Sequence, residues 1–540
     1  MRRVADTVAL TLHAHGVRHA FGMPGGEVVT LVDALGAAGV RFLLVRGETA
    51  GAIAAGGLGV LTDTPGVLVT TIGPGLANAL NGIADAAQER APLIVLTGVV
   101  DRPIRALYTH QILDQAALLR PLVKGSFEIE PKSAQATVRR AIALALTPPM
   151  GPVHLDLAPG IAALPDPAPQ AAIAPAPRTV LPAPNRADPA LADLRARLAD
   201  AAQPLIVAGF EAARAGAGGA VAALARATGA PVITTYKGKG LVDEAHPLSL
   251  GAAGLSPKAD AALLPLAREA DLVLCVGYDP IEMRPGWLDP FTEDAHVVEI
   301  GAAPVDHGMH RVDERIVGPI MPILEALAWR LSARSDEPSG PVAQAQEALA
   351  EAFAEKATAG FGPHAVFRTL AEALPESATV SVDSGAHRIL LSQLWNAPRP
   401  LSLIQSAGWC TMGPALPLAM AARLARPDAP AIAVIGDGGL EMTLGELGTL
   451  RDERLPVVVL VLQDRSLALI ELKQAQAGLV RAGVGLGATD YAAVAHAFGG
   501  RGWSVSTEED LRAALDEALA GETFGVIAAQ VGVEGYRGAF

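Results

Sequence analysis

Two runs of strand-like apolar residues, 431–436 and 457–463, each end on an aspartate, Asp437 and Asp464. Between them, 443–453 reads as a helix, so the segment is a strand–helix–strand crossover. Strands joined in this way run parallel and finish on the same edge of the sheet. The two carboxylates therefore stand side by side, at the edge where open α/β sheets bind ligands. The first run continues as Gly-Asp-Gly-Gly (436–439), a tight turn. Two hard oxygen ligands beside a Gly-rich turn and a helix N-terminus suit Mg²⁺ carrying a diphosphate.

The rest of the chain repeats the alternation of strand and helix signals. Apolar runs at 42–45, 66–71, 93–97 and 153–157 are separated by helical stretches, which indicates a parallel sheet covered by helices. A Pro/Ala-rich stretch without periodicity follows, and then a second set of runs at 204–209, 231–235, 272–277 and 297–300. Another break leads through a helical connector to a third set that includes 378–383 and 524–529. With 540 residues the chain exceeds one ordinary core. The expected layout is three doubly wound α/β domains at 1–165, 189–331 and 359–540, with connecting segments 166–188 and 332–358. The outer two carry a hint of shared topology.

A formal charge of −14 disfavours a nucleic-acid partner, whose phosphates would be repelled. The only cysteines, Cys275 and Cys410, sit in apolar or Gly-rich contexts, so a disulfide framework is not expected and a reducing, cytoplasmic setting is. Neither a signal peptide nor a membrane span is read from the sequence.

Several further positions could carry chemistry. Glu48 follows the run 41–47 at the end of a largely apolar strand, where a desolvated carboxyl can share a proton with a ring nitrogen. It also fits a glutamate that starts a helix and is held by the helix dipole. Gly22-Met-Pro-Gly-Gly (22–26) and Gly73-Pro-Gly (73–75) are tight turns that let a ligand approach the backbone. His110 and Gln111 can polarise a carbonyl or hold a carboxylate, and also fit a polar loop. Asp383-Ser-Gly-Ala-His (383–387) offers backbone N–H groups and His387 to phosphate oxygens. Met412, flanked by small residues at 408–414, reads as core filler unless the turns around it hold a ligand.

Taken together and in this order, these motifs resemble the thiamine diphosphate enzymes, and most closely the acetolactate synthase family. The resemblance spans the whole chain. His110-Gln111 within 110–118, Tyr278-Asp-Pro-Ile-Glu (278–282) and an aspartate at 464 are similar to its catabolic, flavin-independent branch. It implies a pyrimidine-binding domain, a central domain and a diphosphate-binding domain, with thiamine diphosphate and Mg²⁺ as cofactors. Glu48 would hydrogen-bond the aminopyrimidine. Met412 would prop the bent cofactor, with the Cys410 backbone near its amino group. Asp437, Asp464 and the Ser466 carbonyl would hold Mg²⁺. Gly25, Asn78, Gly385, Ala386, His387, Gly438 and Gly439 would line the cofactor pocket. Gln111 and His110 would meet the substrate, a small 2-oxo acid that is decarboxylated and joined to a second carbonyl compound. Because Glu48 and the metal site come from different subunits in this family, a homodimer is the implied minimum and a homotetramer the usual state. Two other outcomes stay open: simple decarboxylation to an aldehyde, and a degenerate chain acting as a scaffold.

The chain departs from the family pattern in places. Gly47 precedes Glu48 where the family usually has His. Pro159 occupies the place of a lysine common in the flavin-containing branch, so FAD is not expected. Leu469 and Lys473, four apart on one helix, face the substrate pocket by resemblance. Lys473 would then pair with an extra anionic group on a substrate; it equally fits a solvated lysine paired with Glu471.

Overall fold

The computed structural model describes residues 2–538 apart from 168–172, 174–181, 183, 335–336 and 356–359, so most of the Pro/Ala-rich segment lies outside the described residues. Three six-stranded sheets follow one another along the chain. The first holds β1 (His19–Met23), β2 (Arg41–Leu44), β3 (Gly66–Thr70), β4 (Leu93–Gly98), β5 (Ser126–Glu128) and β6 (Pro152–Leu157). The second holds β7 (Pro204–Ala208), β8 (Val232–Thr235), β9 (Ser249–Ala253), β10 (Leu272–Val276), β11 (His296–Gly301) and β12 (Glu314–Val317). The third holds β13 (Thr379–Val382), β14 (Leu403–Gln405), β15 (Ala431–Gly436), β16 (Val457–Gln463), β17 (Arg501–Val505) and β18 (Gly525–Gln530). Neighbouring strands pair in parallel throughout. This is the three-part α/β architecture expected from the alternating runs.

The orders are informative. The first sheet runs β2-β1-β3-β4-β6-β5 and the third β14-β13-β15-β16-β18-β17, which is the same order. The shared topology hinted at in the sequence is therefore present. The central sheet runs β12-β11-β10-β7-β8-β9, the other common doubly wound order. Strands β15 and β16 are buried almost end to end, because helices cover both faces, and that is why they read as unbroken apolar runs.

The outer units also share an apolar cluster. Ile53 and Leu58 on the helix Glu48–Leu61 belong to it together with Leu416, Leu418 and Ala419 on the helix Ala415–Ala425. Among the described residues no helix is long and apolar enough to cross a membrane.

Candidate active site

Strands β15 and β16 pair from Ala431↔Val457 to Gly436↔Leu462, so Asp437 and Asp464 emerge just past the last rungs, on the same edge. The single helix expected over 443–453 is instead two, Asp437–Thr443 and Glu446–Asp452. The first begins six residues earlier than expected, with extended Gly436 as its cap, and so Asp437 is its first residue. One Asp437 oxygen accepts from the Gly438 N–H at 2.9 Å and the other from the Arg465 N–H at 2.7 Å. An Asp464 oxygen accepts from the Ser466 N–H at 2.9 Å.

Strand β13 lies on the other side of β15, and between β13 and β15 the strand order changes direction. Such a switch point opens a crevice outside the carboxyl ends of the strands. A cavity of about 230 Å³ occupies it. Gly385, Ala386, His387, Cys410, Met412, Gly438 and Gly439 line it, together with Asp437, Asp464, Ser466 and Leu469. Burial, and secondly the Asp437 charge, pushes the Asp464 carboxyl up to about 8. Asp437 is raised as well, again chiefly by burial. His387 is driven down to about 3 by burial and by neighbouring Arg388, which keeps the ring neutral. Cys410 adopts a left-handed φ of 56°, and Gly413 after Met412 one of 86°.

The lining fits a metal-bound diphosphate. The His387 Nε2 and Ser384 Oγ atoms are buried with no hydrogen-bond partner. A β-carbon at Gly439 would sit 1.9 Å from an Asp383 oxygen, which leaves room only for glycine, and one at Gly438 would press on the end of the Leu467 side chain at 3.1 Å. Two adjacent carboxylates whose charged forms are disfavoured gain most from a divalent cation.

Glu48 is not at a strand end: β2 stops at Leu44, and Glu48 is the first residue of the helix Glu48–Leu61. Its carboxylate is buried and accepts from Asn78 Nδ2 at 2.5 Å. Around it, a β-carbon on Gly75 would come within 3.3 Å of Glu48 Oε1, and one on Gly25 would strike Thr71 Oγ1 at 2.2 Å. Gly73 lies against the Gln111 backbone, and Gln111 itself takes a φ of 55°. His110 and Gln111 are exposed. The N-terminal candidates thus gather around the Gly73–Gly75 turn, and none of them lines the cavity of the third unit.

Lys473 is exposed and outside the cavity lining, while Leu469 is within it. The partner expected for a solvated Lys473 is already engaged: the Glu471 carboxylate meets Arg481 at 2.9 Å and accepts from the Ser466 hydroxyl. Sequence reasoning passed over three groups. Asp383 accepts from the N–H groups of Ser384 (2.7 Å) and Gly413 (2.9 Å), and burial pushes it up to about 7. Arg388, buried, reaches Cys410 Sγ at 3.4 Å. Arg284, from the central unit, reaches the cavity wall. The first two lie within or beside a motif already singled out. Arg284 is far away in sequence and carries no local signal.

Comparison with known proteins agrees with this geometry. Residues 2–118, 191–327 and 383–529 match the N-terminal TPP binding, central and C-terminal TPP binding domains of thiamine pyrophosphate enzymes. The chain is 31% identical to the acetolactate synthase large subunit of Parasynechococcus marenigrum, over 95% of this chain and 85% of that protein. It is 28% identical to the acetolactate synthase of Bacillus subtilis, over 96% and 91%. With the catabolic acetolactate synthase of Raoultella terrigena the identity is 29%, over 95% and 92%. Cavity, sheet order and sequence therefore agree that the chain belongs to the thiamine pyrophosphate enzymes of the acetolactate synthase family.

Proposed function

We propose that the chain is a thiamine diphosphate- and Mg²⁺-dependent carboligase that releases CO₂ from a small 2-oxo acid and joins the remaining acyl unit to a second carbonyl compound. The observation that carries this reading is the pair of carboxylates at the β13–β15 switch point, both raised by burial, beside a neutral His387 whose Nε2 has no partner. Asp437, Asp464 and the Ser466 carbonyl would hold Mg²⁺. Gly385, Ala386, His387, Gly438 and Gly439 would receive the diphosphate, and Cys410 and Met412 would fix the ring end. When bound, the thiazolium ring supplies an electron sink for the carbanion left by decarboxylation. Glu48, oriented by Asn78, would hold a proton on the pyrimidine nitrogen. Gln111 and His110 would orient the substrate, and Leu469 would form the apolar wall. Pro159 starts a short helix, Pro159–Ala163, and offers no cation to a flavin; flavin-free chemistry in a reducing, cytoplasmic setting is part of the proposal. So are domain bounds at 1–165, 189–331 and 359–540.

Glu48 does not line the cavity that holds the metal pair, and we infer that a second copy brings the two together. A homodimer is proposed as the minimal unit, and a homotetramer as its usual state. Exposed apolar side chains flank both halves. Leu107 (83% exposed), Tyr108, Ile112 and Leu113 stand beside His110 and Gln111 in the chain, and exposed Ile470 lines the cavity. Burying such patches is what an obligate interface does.

A panel of 2-oxo acids with thiamine diphosphate and Mg²⁺, reading CO₂ and product, tests the chemistry. A branched 2-hydroxy-3-oxo acid is the expected product. A free aldehyde would make the protein a decarboxylase, and no turnover with any acid would point to a scaffold. In the same panel Lys473→Gln is expected to lose preference for dicarboxylic over monocarboxylic 2-oxo acids. An unchanged preference removes Lys473 from the substrate site.

A further inference from the structure

One face of the helix Pro74–Gln88 and its cap residue carries Asn78, Asn81, Asp85 and Glu89, spaced three, four and four residues apart. Asn78 holds Glu48. The other three all reach the loop 406–411 of the third unit. Asn81 donates to Thr411 Oγ1 at 2.9 Å and accepts from the Trp409 indole N–H at 2.8 Å. Asp85 accepts from the Ser406 hydroxyl at 2.6 Å. One Glu89 oxygen accepts from two successive backbone N–H groups, Gly408 at 2.7 Å and Trp409 at 3.1 Å. A carboxylate bridging consecutive N–H groups fixes the local backbone, and charge makes these bonds stronger than neutral ones.

Glu89 is itself anchored. Lys237 of the central unit places its ammonium 2.9 Å from the other Glu89 oxygen, donates to the Glu89 carbonyl at 2.9 Å, and lies 3.9 Å above the Phe210 ring. Both charged residues are more than nine-tenths buried. All three units therefore meet at Glu89, directly before Cys410 and Met412 enter the cavity wall.

We propose that Glu89, held by Lys237, is a positioning residue for the cofactor: it sets the loop 406–412 so that Cys410 and Met412 are in place before thiamine diphosphate binds. This rests on the reading of the cavity as the thiamine diphosphate site. A preformed wall spares the cofactor the entropy of ordering the loop, so its loss appears as weaker binding.

The test uses the full-length chain freed of cofactor, as wild type, Glu89→Ala and Glu89→Gln. Amide hydrogen exchange is followed over 406–414, and binding of thiamine diphosphate with Mg²⁺ is measured by calorimetry. Glu89→Ala is expected to speed exchange in 406–414, leave 431–437 and 457–463 unchanged, and raise the Kd about tenfold or more. Glu89→Gln keeps an acceptor oxygen for the two N–H groups and is expected to recover most of that affinity. If Glu89→Ala does not fold, Asn81→Ala carries the test, with faster exchange at 409–411 and a severalfold higher Kd expected. A loosened loop with wild-type affinity overturns the proposal, as does a Gln variant no better than Ala. Failure of the wild type to bind thiamine diphosphate would overturn the functional reading instead, and would leave the loop exchange to report on Glu89 alone.

Discussion

Asp464 is the residue whose surroundings shape the site most. Burial and the Asp437 charge hold its carboxyl near 8, far above the usual carboxylate range. An acid raised in the folded state destabilises the fold as pH climbs from its unfolded value through its folded one. Asp85, Glu282 and Asp383, each pushed to about 7 mainly by burial, act with the same sign. Above pH 7 the histidines lowered by burial, His387 among them, no longer contribute, because they are neutral in both states. The cofactor-free protein is therefore expected to lose thermal stability between pH 7 and 8.5. Ligation of Mg²⁺ by Asp464, as proposed, would displace its proton, so Mg²⁺ affinity in the presence of thiamine diphosphate should rise roughly tenfold over the same window. Calorimetry at several pH values checks this; a flat affinity would mean that Asp464 does not ligate the metal. At this scale the sequence was most legible where a side chain ends an apolar run, as at Asp437 and Asp464. Asp383 and Arg388 gave no comparable signal, since what they do depends on bonds to Gly413 and Cys410, residues from a later loop.

Among the elements, most inner strands were readable and most edge strands were not; β1, inside the first sheet, had no run, while β2, at its edge, did. Covered on both faces, β3, β4, β15 and β16 show as continuous apolar runs. Five more strands without such a run, β5, β9, β12, β14 and β17, each stand at the edge of a sheet, and all but β9 are short or only partly buried. The helix that starts at Asp437 was misplaced because Gly438 and Gly439 read as a turn. In the fold they are helical, and at Gly439 glycine is required by the close approach of Asp383. Gly439→Ala would force the buried Asp383 carboxylate away from its N–H partners. Thermal unfolding should show a loss of about 1–3 kcal/mol, together with weakened stabilisation by thiamine diphosphate and Mg²⁺. A variant matching wild type in both would show that the β13–β15 crevice tolerates a wider floor than its geometry indicates.

At the scale of the whole molecule, two units of identical strand order flank a central unit of different order, and each outer unit carries half of the proposed site. The motifs signalled both halves, but only the family resemblance pointed to their coming from different subunits, because chain order carries no information about a second copy. In the proposed assembly the halves meet across copies, with Glu48 of one chain acting on a cofactor held by Asp437 and Asp464 of its partner. Mixing Glu48→Gln and Asp437→Asn proteins, each inactive alone, under conditions that let subunits exchange tests this directly. If the site is shared, half of the assembled pairs contain one intact site, and about a quarter of wild-type activity should return. If each chain completes its own site, no mixed pair holds an intact one, and the mixture would stay as inactive as its parts.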